Sequence, residues 1–132
     1  MNMFINLEKG SEIVSSIISY CRENKISSAC FFAIGAVSEV ELAYYNIKKK
    51  QYQFRKLTED MEIAGITGNI AVMDGKLVLH AHGTFSDKNF GTTGGHLKSA
   101  IVSGACEVFI TELEQKLVRK YDEETGLNLI SL

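Results

Sequence analysis

The chain has 132 residues, of which 45% are hydrophobic and 23% charged, and its formal net charge is −2. This composition excludes collagen-like and intrinsically disordered proteins, and the length suits a single domain, which we expect to span residues 1–132. The slight negative charge also argues against a domain that holds nucleic acid by its charge alone.

The first predicted elements are a short strand, Met3–Leu7, and an amphipathic helix at about residues 11–24. Ser11 is the expected N-cap of this helix and Asn24 its left-handed end. Apolar side chains recur along one helix face at three- and four-residue spacings: Ile13, Val14, Ile17, Ile18 and Cys21. The helix therefore needs an apolar surface to pack against.

Two strands are predicted next. Ala29–Val37 is a continuous apolar run, typical of a buried central strand, and Val40–Ile47 forms a second strand. Lys48–Lys50 makes a turn, and Gln51–Leu57 returns as a strand with alternating polarity. This part of the chain therefore predicts an antiparallel hairpin.

The middle of the chain predicts a second hairpin. Met61–Asn69 and Ile70–Met73 alternate in polarity, and Asp74-Gly75 is the strongest turn motif of the chain, because this pair suits a two-residue hairpin loop. Lys76–Phe85 is the returning strand.

The remaining chain is also mostly strand. A polar loop is expected over Ser86–Gly95, and Ile101–Thr111 continues as strand. Leu97–Gly104 is either a helical turn or a bent strand, and Leu117–Tyr121 and Leu127–Leu132 form the last hairpin. The predicted fold class is α+β, with one mainly antiparallel twisted sheet of about seven strands and the helix packed on one face.

All three histidines lie between His80 and His96. His80 and His82 are two residues apart in a predicted strand, so both imidazoles project from the same face. His96 follows the glycine-rich loop, which would let it fold back beside them. Three converging imidazoles with one open coordination position are typical of a zinc site that exchanges ligands. The alternative is a surface trio that titrates near neutral pH without partners.

The loop before His96 contains three candidate ligand-loop residues, Gly91, Gly94 and Gly95. Gly94 and Gly95 would let the backbone approach a metal closely or adopt a positive φ. The loop lacks the Lys-Ser/Thr pair of a P-loop, so a phosphate cradle is not expected.

Two carboxylates are weak candidates for catalysis. Asp87 follows His82 closely and would orient an imidazole or act as a general base, and Glu107 would assist in the same way. Such a pair would suit a metal-dependent hydrolase or lyase, in which zinc activates water. The alternative for Asp87 is a loop aspartate that forms an Asx turn.

A basic cluster is the candidate for DNA binding. It alternates with Tyr52 and Phe54, whose rings would stack on bases while the cations contact phosphates. The alternative is a solvated turn whose lysines protect a sheet edge. The cluster consists of Lys48, Lys49, Lys50, Arg55 and Lys56.

The cysteines and the apolar runs bear on the compartment. Cys21, Cys30 and Cys106 are widely spaced, which predicts three reduced, buried thiols in a cytoplasmic protein. The N-terminus does not resemble a signal peptide, and the longest apolar run, Ala29–Val37, is too short to cross a bilayer.

The chain as a whole resembles the PPC (plant and prokaryote conserved) domain family, the core of plant AT-hook nuclear proteins. Its most specific motifs are His80-Ala81-His82 and Gly94-Gly95-His96-Leu97. The other motifs that carry the resemblance are Gly10-Ser11-Glu12-Ile13, Cys21-Arg22-Glu23-Asn24, Phe32-Ala33-Ile34-Gly35-Ala36-Val37, Gly68-Asn69-Ile70, Asp74-Gly75-Lys76 and Asp122-Glu123-Glu124-Thr125-Gly126-Leu127.

The resemblance implies an α+β domain that assembles as a homotrimer, with His80, His82 and His96 as metal ligands. It also implies a DNA-binding label, but in the plant proteins DNA is contacted by an Arg-Gly-Arg-Pro segment, and this chain contains no proline. We therefore expect an oligomeric, zinc- or small-ligand-binding module that is regulatory in role and interacts with protein partners. A DNA-associated protein and a metal-dependent hydrolase or lyase are the alternatives.

Overall fold

A computed structural model describes residues 1–131 and confirms the α+β class, with eight strands and one helix in these residues. Each element follows a local pattern of alternating or three-to-four-residue apolar spacing. The elements are β1 Asn2–Glu8, α1 Ile13–Glu23, β2 Ala29–Asn46, β3 Gln51–Leu57, β4 Met61–Met73, β5 Lys76–Ser86, β6 Thr92–Glu112, β7 Val118–Asp122 and β8 Leu127–Ser131.

The eight strands form one sheet in which β3, β2, β6, β5, β4, β7 and β8 are successive neighbours, and β1 pairs with β6. Because β2 also pairs with β4, the strands β2, β6, β5 and β4 close on themselves. Every pairing is antiparallel except the contact of Val72 with Val118, which joins β4 to β7. The mainly antiparallel sheet is therefore confirmed, with one strand more than expected.

Long, bent strands replace several shorter predicted ones. Ala29–Val37 and Val40–Ile47 form one strand, β2, whose pairing register shifts around Gly35 and again before Leu42. These irregularities bend β2, so its first half pairs with β4 and its second half with β3. Leu97–Gly104 is likewise part of strand β6 and contains no helical turn.

The helix begins later than predicted, because Glu12 and not Ser11 is its N-cap. The Glu12 carboxylate accepts hydrogen bonds from the backbone N–H groups of Val14 and Ser15, at 2.9 and 2.8 Å. Ser11 is held outside the helix, since its carbonyl accepts a hydrogen bond from the N–H of Val102. At the other end Lys25, not Asn24, adopts the positive φ, 59°. No helix within residues 1–131 is long and apolar enough to cross a membrane.

The helix buries Ile13, Ile17 and Cys21 against the sheet, where Phe85 is also fully buried. Burial of these apolar side chains is the main favourable term in folding. Cys21 and Cys106 are buried as predicted, and burial raises the pKa of each thiol to about 11. Cys30 contradicts the prediction, because it lies exposed on β2. Its neighbours on that strand alternate between core and solvent, and Cys30 falls on the solvent side.

Candidate metal centre

The turn between β4 and β5 determines where two of the histidines lie. Asp74 and Gly75 both have positive φ, 50° and 77°, as a tight hairpin turn of this kind requires. From this turn the pairing places His80 opposite Asn69. His80 and His82 therefore share one face of β5.

The third histidine reaches them through a second hairpin. β5 and β6 pair antiparallel, and His96 is the direct partner of His82. The loop between them is shorter than predicted, covering only residues 87–91, because the Asp87 carboxylate accepts hydrogen bonds from the N–H groups of Asn89 and Gly91. The predicted Asx-type role of Asp87 thus matches its contacts.

Gly94 and Gly95 lie in β6, so the prediction that they belong to a flexible loop is wrong, and neither has a positive φ. They do lie in close contact with the backbone of neighbouring strands. A Cβ atom at Gly95 would lie 3.0 Å from the carbonyl oxygen of Ala43, and one at Gly94 would lie 3.1 Å from that of Gly83. These glycines therefore let β6 pack tightly between β2 and β5 next to His96. Gly91 closes the turn beside Asp87.

The three imidazoles converge. Nε2 of His80 lies 3.2 Å from Nε2 of His82, and one ring nitrogen from each of the three histidines lies within 4.8 Å of the others. Two nitrogens bound to one tetrahedral zinc ion are about 3.3 Å apart, given zinc–nitrogen bonds of about 2.0–2.1 Å. The donor set and its spacing therefore fit a divalent metal such as zinc.

The surroundings of His80 and His96 keep these two imidazoles uncharged. Burial, together with the charges of Arg119, His82 and His96, lowers the pKa of His80 to about 4. Burial and the nearby His82 also lower the pKa of His96. At neutral pH both rings are therefore in the neutral form that binds metal ions.

Arg119 of β7 is a further neighbour of the histidines that the sequence analysis does not identify. Its guanidinium donates hydrogen bonds to Oδ1 of Asn69 at 2.9 Å and to the carbonyl of Asn128 at 2.8 Å. The same group lies 3.4 Å from Nδ1 of His80. No motif in the sequence connects Arg119 to the histidines, and His80, which it contacts, is 39 positions away.

The histidines and Arg119 line one cleft of about 630 Å³, whose walls come from all strands between β2 and β8. Tyr52 of β3 forms part of the wall, with its ring centroid 5.1 Å from that of His96. Its neighbour on the same face, Phe54, lies under the ammonium group of Lys98 at 4.6 Å. The cleft is of the size that binds small molecules.

The two candidate catalytic carboxylates do not line this cleft. Asp87 uses its carboxylate in the β5–β6 turn. Glu107 is exposed on β6, where it pairs with Asn6 of β1 and Ile34 of β2. It follows His96 by eleven residues along the same strand, which is about 36 Å of extended chain at the usual rise per residue.

The predicted basic cluster lies on the β2–β3 hairpin, as expected. Lys48, Lys49 and Lys50 form its turn, and Arg55 and Lys56 lie on β3. Lys56 pairs with Glu39 at 3.3 Å. The ammonium group of Lys50 donates a hydrogen bond to the Glu123 carbonyl at 2.6 Å.

Comparison with known proteins gives a consistent picture. The model of the Plants and Prokaryotes Conserved (PCC) domain, the family indicated by the sequence motifs, matches residues 1–114. A solved structure of a metal-containing protein from Archaeoglobus fulgidus is 35% identical with a TM-score of 0.94, and the match covers 100% of this chain and 94% of that chain. A search of curated proteins finds no match.

Two further solved structures are similar. A protein from Bacteroides thetaiotaomicron, described as a presumed DNA-binding protein, is 33% identical with a TM-score of 0.95, covering 98% of this chain and 91% of that chain. A plant- and prokaryote-conserved (PPC) protein from Pyrococcus horikoshii is 27% identical with a TM-score of 0.94, covering 100% and 92% of the two chains.

Proposed function

The chain belongs to the Plants and Prokaryotes Conserved domain family, and from this premise we propose that it is an oligomeric module that binds a zinc ion through His80, His82 and His96. The observation that carries the proposal is the convergence of three ring nitrogens within 4.8 Å of one another. The metal-containing relative from Archaeoglobus fulgidus supports it.

Three protein ligands leave zinc one further position for a small ligand, where the ion acts as a Lewis acid. The cleft walls, all within residues 1–131, include no Asp or Glu that would serve as a general base. A ligand-binding, regulatory role is therefore better supported than a hydrolase or lyase.

The metal content of the purified protein tests the proposal. After dialysis against a chelator and readdition of zinc, elemental analysis is expected to find one zinc ion per chain. A competition titration with a coloured chelator then gives its affinity. Failure of the reloaded protein to retain zinc above the level of a histidine-free protein would contradict the site.

The oligomer that we propose is a homotrimer, assembled through an exposed patch of three aromatic rings and one neighbouring aliphatic side chain. This aromatic patch consists of Phe4, Phe32, Phe109 and Ile34. These side chains are between 38% and 54% exposed and lie on β1, β2 and β6. Phe109 lies at the centre, with its ring 5.1 Å from that of Phe4 and 4.8 Å from that of Phe32. Contiguous apolar surface of this kind is typical of contacts between chains.

Phe109→Asp is expected to convert the trimer to monomers, because a carboxylate would be buried without a partner at the contact. Multi-angle light scattering measures the change. Phe90→Asp is the matched control, since Phe90 is 90% exposed in the β5–β6 turn, away from the aromatic patch.

Thiol labelling gives a second measure of the assembly. Cys30 precedes Phe32 by two residues on β2 and shares its solvent-facing side, so the trimer would shield it. A maleimide is expected to modify Cys30 faster in the Phe109→Asp variant, whereas Cys21 and Cys106 stay unmodified in both proteins. A monomeric wild-type protein with freely reactive Cys30 would refute assembly through the aromatic patch.

We infer that the β2–β3 hairpin does not bind DNA directly. The net charge of the chain is −2. Of the five basic side chains of the hairpin, Lys56 is paired with Glu39 of β2 and Lys50 donates to the Glu123 carbonyl. The fluorescence anisotropy of a labelled duplex at low salt is expected to change no more than with an acidic control protein. Binding that weakens when Lys48 and Lys49 are replaced by glutamine would overturn this inference.

A further inference from the structure

The charge of the cleft indicates which ligands it favours. Arg119 is the one side chain in its walls that is permanently charged, since no Lys, Asp or Glu among the described residues lines the cleft. The ion pairs found within residues 1–131, Lys56 with Glu39 and Lys98 with Glu41, do not involve Arg119. The cleft therefore holds an arginine whose charge no carboxylate of the described chain neutralises.

Arg119 is also held in place. Two of its N–H groups donate to neutral oxygens, of Asn69 and of Asn128, and its Nε is buried without a hydrogen-bond partner in residues 1–131. An unpaired buried donor costs free energy, so the hydrogen-bonding capacity of Arg119 is not fully used within the described residues. A positioned guanidinium is well suited to a carboxylate, because a hydrogen bond between two charged groups is about twice as strong as one between neutral groups.

Apolar side chains form much of the rest of the cleft. Strands β4, β5 and β8 contribute aliphatic side chains to its walls, from Met73, Val78, Leu127 and Leu129. Such walls favour the organic part of a ligand over an inorganic ion.

We propose that the cleft binds a small organic carboxylate, with its carboxylate beside Arg119 and the metal and its hydrocarbon part against the aliphatic walls. The contact between the carboxylate and the metal rests on the zinc site proposed above, whereas the contact between the carboxylate and Arg119 does not. Arg119 lies beyond residues 1–114, the part that matches the family model, so the proposal concerns a feature of the β7–β8 hairpin of this chain.

The test compares a branched carboxylic acid with its uncharged amide, 4-methylpentanoate with 4-methylpentanamide, by NMR titration of the zinc-loaded protein. The acid is expected to bind about tenfold or more tightly than the amide, and to shift the ring resonances of the histidines. Equal affinity for the two compounds would overturn the proposal, as would a preference for inorganic phosphate over the acid. This comparison uses the wild-type chain, so it does not depend on the folding of a variant.

In the metal-free protein, where zinc cannot itself favour the acid, Arg119→Gln is expected to abolish the preference for the acid, and Arg119→Lys to retain part of it, because lysine keeps the charge but not the planar guanidinium. Arg55→Gln, which removes an exposed arginine of β3, is the matched control and is expected to bind like the wild type. Circular dichroism checks that each variant is folded. An acid preference that survives in folded, metal-free Arg119→Gln would overturn the assignment to Arg119.

The chelator-treated protein separates this proposal from the zinc site. Without metal, the acid is expected to bind more weakly but still with a preference that requires Arg119. Failure to take up zinc would contradict the proposed function alone, whereas loss of any acid preference in both metal-loaded and metal-free protein would contradict the carboxylate proposal alone.

Discussion

His82→Ala is expected to lower the affinity for zinc by about 100-fold or more, because loss of even an outer hydrogen-bond partner of a zinc ligand costs about 10- to 100-fold. His82 is the best choice among the three histidines, since it is exposed and its removal should leave the fold intact. His80, in contrast, is half-buried and lies against Arg119, so its replacement would change packing as well as ligation.

Competition with a coloured chelator measures this loss, and elemental analysis is expected to find no stoichiometric zinc in the purified variant. Thr84→Ala is the matched control, because Thr84 is exposed on the same face of β5, two residues after His82. It should bind zinc as the wild type does. Equal zinc affinity in His82→Ala and Thr84→Ala would exclude His82 as a ligand.

Gly35→Ala is expected to destabilise the protein by about 3 kcal/mol or more, through backbone strain and overpacking together. Gly35 has a φ of 151°, which side chains rarely adopt. A Cβ atom there would also collide with the carbonyl oxygen of Ala105 and lie 2.8 Å from Cα of Cys106. Both obstacles are backbone atoms of β6, the direct partner strand, so no rotation of a side chain can relieve them.

Urea denaturation followed by circular dichroism measures this loss. Gly104→Ala is the control, because Gly104 lies on β6 and a Cβ atom there would have no heavy atom within 4 Å. Its stability is expected to stay within about 0.5 kcal/mol of the wild type. If Gly35→Ala were no less stable than Gly104→Ala, β2 and β6 would not approach each other as closely at Gly35 as the structure shows.

The elements that the sequence predicted well depend on neighbours in the chain. The Asp74-Gly75 turn required only two residues with positive φ, and it set the pairing of β4 with β5. The common orientation of His80 and His82 followed from the two-residue period of a strand. The buried face of the helix followed in the same way from its spacing, although the cap did not, because Ser11 is hydrogen-bonded to β6.

The sequence by itself therefore determined the fold class, the hairpin at residue 74 and a histidine cluster with the chemistry of a metal site. Only the tertiary structure decided that the sheet closes through β2 and β4, and that Arg119 and Tyr52 share the cleft with the histidines. The physical reason is that local patterns determine which face a side chain takes, whereas its neighbours on other strands depend on long-range pairing and bulges. The carboxylate-binding chemistry inferred for Arg119 was for this reason visible only in the folded chain.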